Sequence, residues 1–397
     1  MRETRKLKYL CYILDEYRKP ISAEKRNQNS DMLYDYYGAS GAIDKIDGYT
    51  IDDHVMLIGE DGANLVFRNL PLMYEVNGKA WINNHAHILK PREDVDFYYL
   101  FYALENADIF LFVTGSAQPK LNQENLKLIP IPITNYETQK HIASFIKSKC
   151  KRIDSLITDI QSQIEALEEY KKSLVFRVVS KGIKKAALKN TVSDVWTAIP
   201  ENWELIDIKY VFEIVKRIAG QEGFDVLSVT QKGLKVKDIE SNNGQQAESY
   251  AGYQFVYPTD YVMNHMDLLT GWVDCSTMFG VTSPDYRVFR LRDKENNDLT
   301  YFKYVMQCCY MSRIFYSLGQ GVSNLGRWRL QTSAFNNFMI PVPPLDEQRK
   351  IADYLDTKIS EIDIIIAEKK QQIETIEEYK KSLIFEYVTG KKEVVNE

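Results

Sequence analysis

The stretch Glu168-Glu169-Tyr170-Lys171-Lys172-Ser173-Leu174 recurs unchanged as residues 377–383. The two copies close longer windows, 139–176 and 348–385, which match at 18 of 38 positions when the chain is shifted by 209 residues. Identity over that length indicates an internal duplication. The two windows therefore decide how the rest of the chain is organised.

Both windows have the sequence pattern of a long amphipathic helix. Apolar residues recur three and four positions apart, and neither proline nor glycine interrupts them. A helix of roughly 40 residues is about 60 Å long, so its apolar stripe needs a partner along its length. We predict that the two helices form an intramolecular coiled coil through Ile153, Ile157, Ile164, Leu167, Ile362, Ile366, Ile373 and Ile376.

The charges of the two helical regions favour pairing with each other. Residues 129–189 carry 12 Lys and Arg against 6 Asp and Glu, whereas residues 340–397 carry 9 against 13. Unlike charges favour this pairing over self-pairing between molecules. About 170 residues separate the helices, enough for a folded domain, and we predict an antiparallel coiled coil. The alternative is two separate amphipathic helices, each packed on its own domain.

The chain divides into domain, helix, domain and helix. We predict a first domain at 1–128, a helix with its connector at 129–189, a second domain at 190–339 and the second helix at 340–397. Short strand-like and helix-like segments alternate in both domains. The predicted fold class is α+β, with two α/β domains separated by two long helices in a pseudo-twofold tandem repeat.

The composition is typical of a soluble protein that is not exported. A chain of 397 residues with 45% apolar residues can form two to three domains. No apolar run approaches 18 residues, and the first residues lack a signal-peptide core. Five cysteines without a C-x-x-C pair are typical of reduced cytoplasmic thiols and offer no zinc site. We expect a cytoplasmic location.

Catalytic motifs are absent from the sequence. It contains no G-x-x-x-x-G-K-[ST] loop, no G-x-G-x-x-G after a strand and no [NDS]-P-P-[FYW] motif of amino-methyltransferases. His85 and His87 would lie on one face of a strand, as two metal ligands can, but no third ligand is near them in sequence. We expect structural histidines, no metal site, no catalytic residue and a chain that is not an enzyme.

Polar loops are the candidate binding sites. Arg327-Trp328-Arg329 follows a glycine-rich segment of the second domain, and segments 36–43 and 114–121 are polar or glycine-rich in the first. Arginine can pair with guanine edges, glutamine with adenine, and either Arg or Lys with phosphate. The alternative is that these are ordinary solvated loops. The candidate DNA contacts are Tyr37, Ser40, Lys45, Ser116, Gln118, Lys120, Ser323, Asn324, Arg327 and Arg329.

Taken together, these features resemble the DNA-specificity subunit of a type I restriction-modification system. The residues that carry the resemblance are the junction Ile340-Pro341-Val342-Pro343-Pro344-Leu345-Asp346-Glu347-Gln348 with Ile351-Ala352, its weaker first copy at Gln139 and Ile142-Ala143, Ile199-Pro200 with Trp203, and segment 115–121. The resemblance covers essentially the entire chain. It implies two target-recognition domains, 1–128 and 190–339, each reading one half of a split double-stranded DNA target in the major groove.

The same resemblance implies partner proteins. Two methyltransferase subunits would dock on the helices, joined by restriction and translocase subunits. S-adenosylmethionine, ATP and Mg²⁺ would bind those partners, and no cofactor would bind this chain. The net charge of −5 argues mildly against a DNA-binding protein acting alone, but partners can supply phosphate contacts. We expect half-sites about 34 Å apart, one helical turn, with the coiled-coil length setting the separation.

The first half departs from the family pattern at its start. It lacks the Ile-Pro-x-x-Trp lead-in, and two more residues separate Pro132 from Gln139 than Pro343 from Gln348. Pseudo-symmetry predicts that the tail after Lys391 lies beside Met1. Two other functions fit the sequence: a coiled-coil adaptor whose two heads bind proteins, and one piece of a restriction-methylation fusion.

Overall fold

The computed structural model describes residues 2–26, 32–115, 117–238, 247–321 and 328–394. The chain forms two compact units: unit 1 comprises Met1–Gln161 with Lys370–Glu397, and unit 2 comprises Ser162–Lys369. Each unit therefore contains one α/β domain and a segment of each long helix.

The elements of the first half begin at the N-terminus. The strands are β1 (Glu3–Lys6), β2 (Cys11–Ile13), β3 (Leu33–Gly38), β4 (Gly41–Asp47), β5 (Ile51–Gly59), β6 (Met73–Ile82), β7 (Ala86–Pro91) and β8 (Pro130–Ile133). The helices are α1 (Asn64–Phe67), α2 (Phe97–Glu105), α3 (Gln123–Leu126) and the long α4 (Tyr136–Lys181). Six strands form one sheet in the order β2-β7-β5-β6-β3-β4, and β1 pairs with β8 outside it.

The central strand β5 buries side chains on both faces of this sheet. Met56 and Ile58 belong to one hydrophobic cluster, and Val55 and Leu57 to another. Successive side chains of a strand point to opposite faces, so a continuous apolar run fits a strand that is covered on both sides.

The second half has more and shorter strands. They are β9 (Leu188–Asn190), β10 (Ala198–Pro200), β11 (Glu204–Asp207), β12 (Phe212–Val215), β13 (Leu227–Thr230), β14 (Gly233–Val236), β15 (Gln254–Val256), β16 (Tyr261–Met263), β17 (Val273–Cys275), β18 (Gly280–Thr282), β19 (Arg287–Leu291) and β20 (Met339–Val342). The helices are α5 (Ile208–Val211), α6 (Leu299–Met311), α7 (Ile314–Ser317), α8 (Thr332–Asn336) and the long α9 (Leu345–Thr389). The largest sheet has the antiparallel order β12-β19-β16-β17.

The two long helices run antiparallel within each unit. In unit 1, Lys380 Nζ of α9 lies 2.5 Å from Asp154 Oδ1 of α4. In unit 2, Lys171 Nζ of α4 lies 2.6 Å from Asp363 Oδ1 of α9. In both units, the early part of one helix therefore meets the late part of the other. Neither long helix, nor any other helix in the described part of the chain, combines the length and the apolar character needed to span a membrane.

Apolar burial, more than charge, stabilises this pairing. The lysine lies on α9 in unit 1 and on α4 in unit 2, so the net charge of a helix does not select its partner, and exposed ion pairs contribute little. The eight residues predicted for the coiled coil are all buried or half-buried: Ile153, Ile157, Ile164, Leu167, Ile362, Ile366, Ile373 and Ile376.

A hydrogen-bonded joint ties the domain of unit 1 to both long helices. The buried Gln139, in the first turn of α4, accepts a hydrogen bond from the Asp96 N–H at 2.9 Å. The Tyr99 hydroxyl of α2 lies 3.0 Å from the Pro132 carbonyl oxygen and 3.2 Å from that of Val388, near the end of α9. Asp96 also caps α2 by accepting from the Tyr99 N–H. The domain is thus fixed to the beginning of one helix and the end of the other.

Unit 2 repeats this joint with equivalent residues. Gln348 of α9 accepts from the Asp298 N–H at 2.8 Å, and Asp298 caps α6. The Tyr301 hydroxyl lies 2.9 Å from the Pro341 carbonyl oxygen and 3.5 Å from that of Val179, near the end of α4. The duplication therefore preserves the attachment of each domain as well as the helices.

Loss of the buried glutamine is expected to weaken each unit separately. Gln348→Ala leaves the Asp298 N–H and the Pro343 carbonyl without their partner, which costs about 2 kcal/mol of unit 2 stability. Gln139→Ala should do the same to unit 1. Hydrogen exchange of the α6 amides in denaturant measures the stability of unit 2, and exchange of the α2 amides measures that of unit 1. The exposed Gln371→Ala is the control. A loss below about 0.5 kcal/mol in both units would contradict the role of this joint.

The first domain is anchored although it lacks the tryptophan lead-in. Its strand β1 pairs with β8 as β11 pairs with β20. The Arg2 guanidinium donates to the Tyr387 and Val388 carbonyls at 2.8 and 3.0 Å, where a cation is favourable at a helix C-terminus. Trp203 instead packs on Gly182, just beyond α4. Arg2 thus takes the place that Trp203 holds in the second half.

The N-terminal residues contact the end of α9, whereas the position of the tail after Lys391 beside Met1 stays a prediction. The Arg2 N–H donates to the Thr389 carbonyl oxygen at 3.1 Å, and a Cβ on Gly390 would lie 2.9 Å from the Arg2 side chain. Met1 itself lies outside the described residues.

Two expectations about the first half are wrong. Pro132 and Pro341 accept the equivalent tyrosine hydrogen bonds, and each precedes its glutamine by seven residues, so the first half has no insertion there. Segment 36–43 is not a loop, because it forms the ends of β3 and β4 around a two-residue turn. Its two glycines face each other across that turn, and Gly41 has a φ of +95°, which favours glycine.

Candidate nucleic-acid interface

Two of the predicted binding segments meet at the end of β5. Gly59 approaches the turn between β3 and β4 so closely that a Cβ there would lie 2.7 Å from the Ala39 carbonyl oxygen. Just beyond β5, the Gly62 N–H donates to the Pro119 carbonyl at 3.0 Å. The hairpin turn and loop 114–121 therefore form one surface of the first domain.

The second of these segments is closed by its own backbone. Thr114 and Lys120 exchange two hydrogen bonds, at 2.8 and 2.7 Å. Gly115 has a φ of +85°, and a Cβ there would lie 2.5 Å from the Gln118 carbonyl oxygen, so the loop requires glycine. Gln118 and Lys120 are exposed, whereas the predicted contact Ser116 lies outside the described residues.

The hairpin brings only some of its predicted residues to this surface. Ser40 is exposed in the turn, and Tyr37 is half-buried in β3. Burial, and then the charge of Asp35, raise the pKa of the Tyr37 hydroxyl, which keeps it a neutral donor. Lys45 lies four residues along β4 from the turn, where it pairs with Asp35 at 3.7 Å. Lys45 therefore does not join the other predicted contacts.

Charged residues that were not predicted from the sequence link the loops. Glu60 contacts Arg18 Nη1 at 2.5 Å and Lys120 Nζ at 3.2 Å, and Asp61 Oδ2 lies 2.7 Å from His85 Nδ1. Burial opposes ionisation of Glu60, but its hydrogen bonds to Arg18 and Lys120 outweigh burial and lower its pKa. These side chains come from separate segments, so no local motif could have revealed them.

The two histidines do not share a face of the strand, contrary to expectation. His85 precedes β7 and is 49% exposed at its side chain, whereas His87 is 1% exposed. His87 Nδ1 lies 2.7 Å from Asp15 Oδ2, and Nε2 lies 2.8 Å from the Leu121 carbonyl oxygen. An ionised carboxylate and a carbonyl only accept hydrogen bonds, so both ring nitrogens donate and the ring is positively charged. His87 thereby fixes the residue at which loop 114–121 ends.

The second domain carries a corresponding loop between α7 and α8. Gln320 and Arg329 exchange hydrogen bonds at 3.0 and 3.1 Å. A Cβ on Gly321 would lie 3.1 Å from the Trp328 indole, so the ring packs against this glycine. Arg329 is exposed. The other predicted contacts of this loop lie outside the described residues: Ser323, Asn324 and Arg327.

Both loops end on an equivalent buried leucine. Leu121 and Leu330 follow the paired residues Lys120 and Arg329, and each precedes its joint glutamine by 18 positions. The short helices α3 and α8 begin two residues after the leucines. The two loops therefore occupy corresponding places in their domains.

The described residues around the loops offer contacts for a ligand. Exposed amide, hydroxyl, ammonium and guanidinium groups can donate to phosphate oxygens and base edges. The described residues hold no group of three His, Cys, Asp or Glu side chains placed to bind a metal ion. Burial raises the pKa of Cys11, Cys275 and Cys308 to about 12, which makes these thiols poor nucleophiles. The fold is that of a chain with two compact units, each of which combines an α/β domain carrying a polar loop with a segment of each long helix.

Comparison with known proteins gives the family. The family model for the type I restriction modification DNA specificity domain matches residues 2–166 and 200–375. The chain therefore belongs to this family, and both the resemblance inferred from the sequence and the predicted tandem fold class are confirmed.

Individual relatives agree with the family. The type I restriction enzyme MjaVIII specificity subunit of Methanocaldococcus jannaschii is 27% identical over 327 residues, which is 76% of this chain and 72% of that protein. S.HindORF215P of Haemophilus influenzae, provisionally named a type I specificity subunit, is 31% identical over 144 residues, so this match spans 36% of each chain. A chain solved in a study of complex assembly of the type I R-M system shares the fold, with a TM-score of 0.66 at 13% identity over 97% of this chain and 96% of that one.

Proposed function

We propose that this chain is the non-catalytic specificity subunit of a type I restriction-modification complex and that its two domains read the two halves of a bipartite DNA target. Two methyltransferase subunits and restriction and translocase subunits dock on it. S-adenosylmethionine, ATP and Mg²⁺ bind to those partners. The expected separation of the half-sites, about one helical turn, stays a prediction.

The observation that carries this proposal is the pair of loops. Each is closed by the same two backbone hydrogen bonds and ends on the same buried leucine, but residues 115–119 lie between the paired residues of the first loop and 321–328 between those of the second. A shared closure gives both loops the same place on their domains, while different contents can read different base sequences.

The charge of the domains indicates that partners take part in DNA binding. Residues 1–128 carry 15 Lys and Arg against 19 Asp and Glu, and residues 190–339 carry 14 against 17. Affinity for a DNA backbone comes mainly from basic side chains that neutralise phosphates. We therefore expect poor DNA affinity for the isolated chain and strong affinity only in the complex with methyltransferase subunits.

The proposal is tested by co-expressing the chain with its methyltransferase subunit and mapping N6-methyladenine across a host genome. We expect a split motif with two defined halves and a fixed gap. Gln118→Ala should relax or abolish one half of the motif and Arg329→Ala the other, because each loop belongs to one domain. Gln371→Ala, on the exposed face of α9, should leave both halves unchanged.

Two outcomes would contradict the proposal. If a complex forms but no motif appears, the heads do not read DNA, and the adaptor function replaces this one. If either loop variant changes both halves of the motif equally, one domain does not correspond to one half-site.

A further inference from the structure

The two domains place a basic side chain at equivalent positions behind their loops. β2 pairs with the end of β7, and β12 pairs in the same way with the end of β19. His87 stands four residues before the last residue of β7, and Arg287 four residues before the last residue of β19. Their roles also correspond, because each donates to the carbonyl of the leucine that ends its loop: His87 to Leu121 at 2.8 Å and Arg287 to Leu330 at 3.1 Å.

In the first domain this positive charge is balanced. Asp15 Oδ2 accepts from His87 Nδ1 at 2.7 Å, and Asp15 also receives the Ile88 N–H at 3.1 Å. Arg18 Nη2 lies 3.2 Å from the same carboxylate. Buried charges are ordinarily paired in this way, because an unpaired charge loses its hydration without compensation.

In the second domain the corresponding charge has no acidic partner. Asp15 stands four residues after the first residue of β2, and the same position after the first residue of β12 is Lys216. Arg287 is 5% exposed and forms no ion pair with the described residues. Its Nη2 donates to the Leu330 carbonyl and, at 3.3 Å, to Thr332 Oγ1, while its Nη1 has no hydrogen-bond partner among the described residues.

Two further basic residues lie near this arginine. His265 is half-buried, and its Nδ1 also lacks a partner among the described residues. Burial, followed by the charges of Arg287 and Arg329, lowers the pKa of His265 to about 4. Arg329 is exposed, and its Nε donates only to the Met266 thioether, a weak acceptor. Arg287 and Arg329 are thus near enough to His265 for their charges to act on it, and Arg287 has no ion pair among the described residues.

We propose that His265, Arg287 and Arg329 form an anion site that receives a phosphate oxygen of the DNA backbone beside the second loop. This inference rests on the proposed function. A phosphate would supply acceptors for Arg287 Nη1 and for an N–H at His265 Nδ1, and it would offset the repulsion between the two guanidinium groups. Arg329 must turn away from Met266 to admit it. The first domain needs no such anion, because Asp15 provides the negative charge.

The anion site is tested with inorganic phosphate on the full-length chain. Histidine side-chain NMR follows each of the five histidines through a pH titration, with His265→Gln used for assignment. We expect phosphate at constant ionic strength, but not chloride, to shift the His265 signals and to raise its titration midpoint by about one pH unit. Arg287→Met should abolish this shift. His54, which pairs with Glu75 in unit 1, should not respond.

The DNA backbone as the source of phosphate is tested in the complex with methyltransferase subunits. Arg287→Met should reduce the slope of log affinity against log salt by about 1, because one phosphate contact is lost. Arg290→Met is the matched control, since Arg290 lies on the same strand but is exposed and paired with Glu213. It should leave the slope unchanged. If Arg287→Met does not fold, Arg287→Lys keeps the charge, and the His265 shift should then require several-fold more phosphate.

The outcomes separate this inference from the proposed function. If phosphate leaves His265 of the wild-type chain unmoved, the anion site is overturned even when the complex binds DNA. If the complex binds DNA with an unchanged salt slope in Arg287→Met, the assignment to a backbone phosphate is overturned. A wild-type complex that binds no DNA while phosphate still moves His265 would overturn the proposed function and leave a site for free phosphate.

Discussion

Trp203→Ala is expected to lower the free energy of unfolding of unit 2 by about 4 kcal/mol, a value typical of a buried tryptophan. Trp203 is 0% exposed. Its indole packs against Gly182, just after α4, and its Nε1–H donates to Glu347 Oε2 in the first turn of α9 at 2.9 Å. One side chain therefore joins the end of one long helix to the start of the other, and its removal leaves a cavity where they meet the domain.

Two further variants separate packing from hydrogen bonding at Trp203. Trp203→Phe keeps most of the buried surface but loses the donor to Glu347, so we expect a loss of about 1 kcal/mol. Tyr210→Ala removes an aromatic ring that is 67% exposed in the same unit and should change stability by less than about 0.5 kcal/mol. Hydrogen exchange of the α6 amides in denaturant measures the free energy of unfolding of unit 2, and exchange of the α2 amides measures that of unit 1. A loss below about 1 kcal/mol for Trp203→Ala would contradict its role.

Asp15→Asn is expected to destabilise unit 1 by about 3 kcal/mol at neutral pH, the usual cost of removing one partner of a buried ion pair. His87 would lose the carboxylate that accepts from its Nδ1, and burial would then oppose its positive charge. The loop that ends at Leu121 should loosen, because His87 Nε2 holds the carbonyl of that residue. We expect faster amide exchange at Lys120 and Leu121, whose N–H groups bond to Thr114 and Glu60.

The pH dependence of this effect has a defined sign. Burial opposes ionisation of Asp15, but the hydrogen bond and charge of His87, the Ile88 N–H and Arg18 outweigh it, so its pKa lies below the ordinary 3.8. A carboxyl group with a lowered folded-state pKa contributes stability that is present above the unfolded value and lost as pH falls through the folded value. The difference between wild type and Asp15→Asn should therefore be constant near neutrality and shrink below about pH 4.

Denaturant unfolding of both proteins from pH 7 to pH 3 measures that difference. Asp35→Asn is the control, since Asp35 and its partner Lys45 are both exposed and 3.7 Å apart. Its effect should be small at every pH in this range. If the stability difference for Asp15→Asn grows as pH falls, the ion pair with His87 does not stabilise unit 1.

The scaffold could be predicted from the sequence because its signals are local and repeated. The apolar stripe of each long helix repeats every three or four residues over some forty positions, and the second copy confirms the first. The joint was less visible. Gln139 and Gln348 stood out as aligned residues, but their partners Asp96 and Asp298 lie far away in sequence, where the two copies align at a different offset.

The candidate site was only partly predictable. Polar residues of loop 114–121 and the guanidinium of Arg329 are visible as surface candidates because glycine and proline mark the loops. The equivalence of His87 and Arg287 is not visible in the sequence, because the residue types differ and only the strand pairing aligns the two positions. Lys45 was misplaced for a related reason. The strand preference of the aromatic side chains in β3 outweighed the loop preference of the neighbouring glycines. The segment is therefore a hairpin, and Lys45 lies beyond its turn.

The shared closure of the two loops has a thermodynamic consequence for how such proteins can diversify. With the backbone pair and the buried leucine in place, the entropy cost of closing the chain between them grows only with the logarithm of its length. Passing from five intervening residues to eight costs about 0.4 kcal/mol, far less than one buried hydrogen bond. A change in the length of this segment therefore costs little as long as the glycine next to the closing pair is kept, and the chemistry presented to a ligand can change while the rest of the protein stays the same.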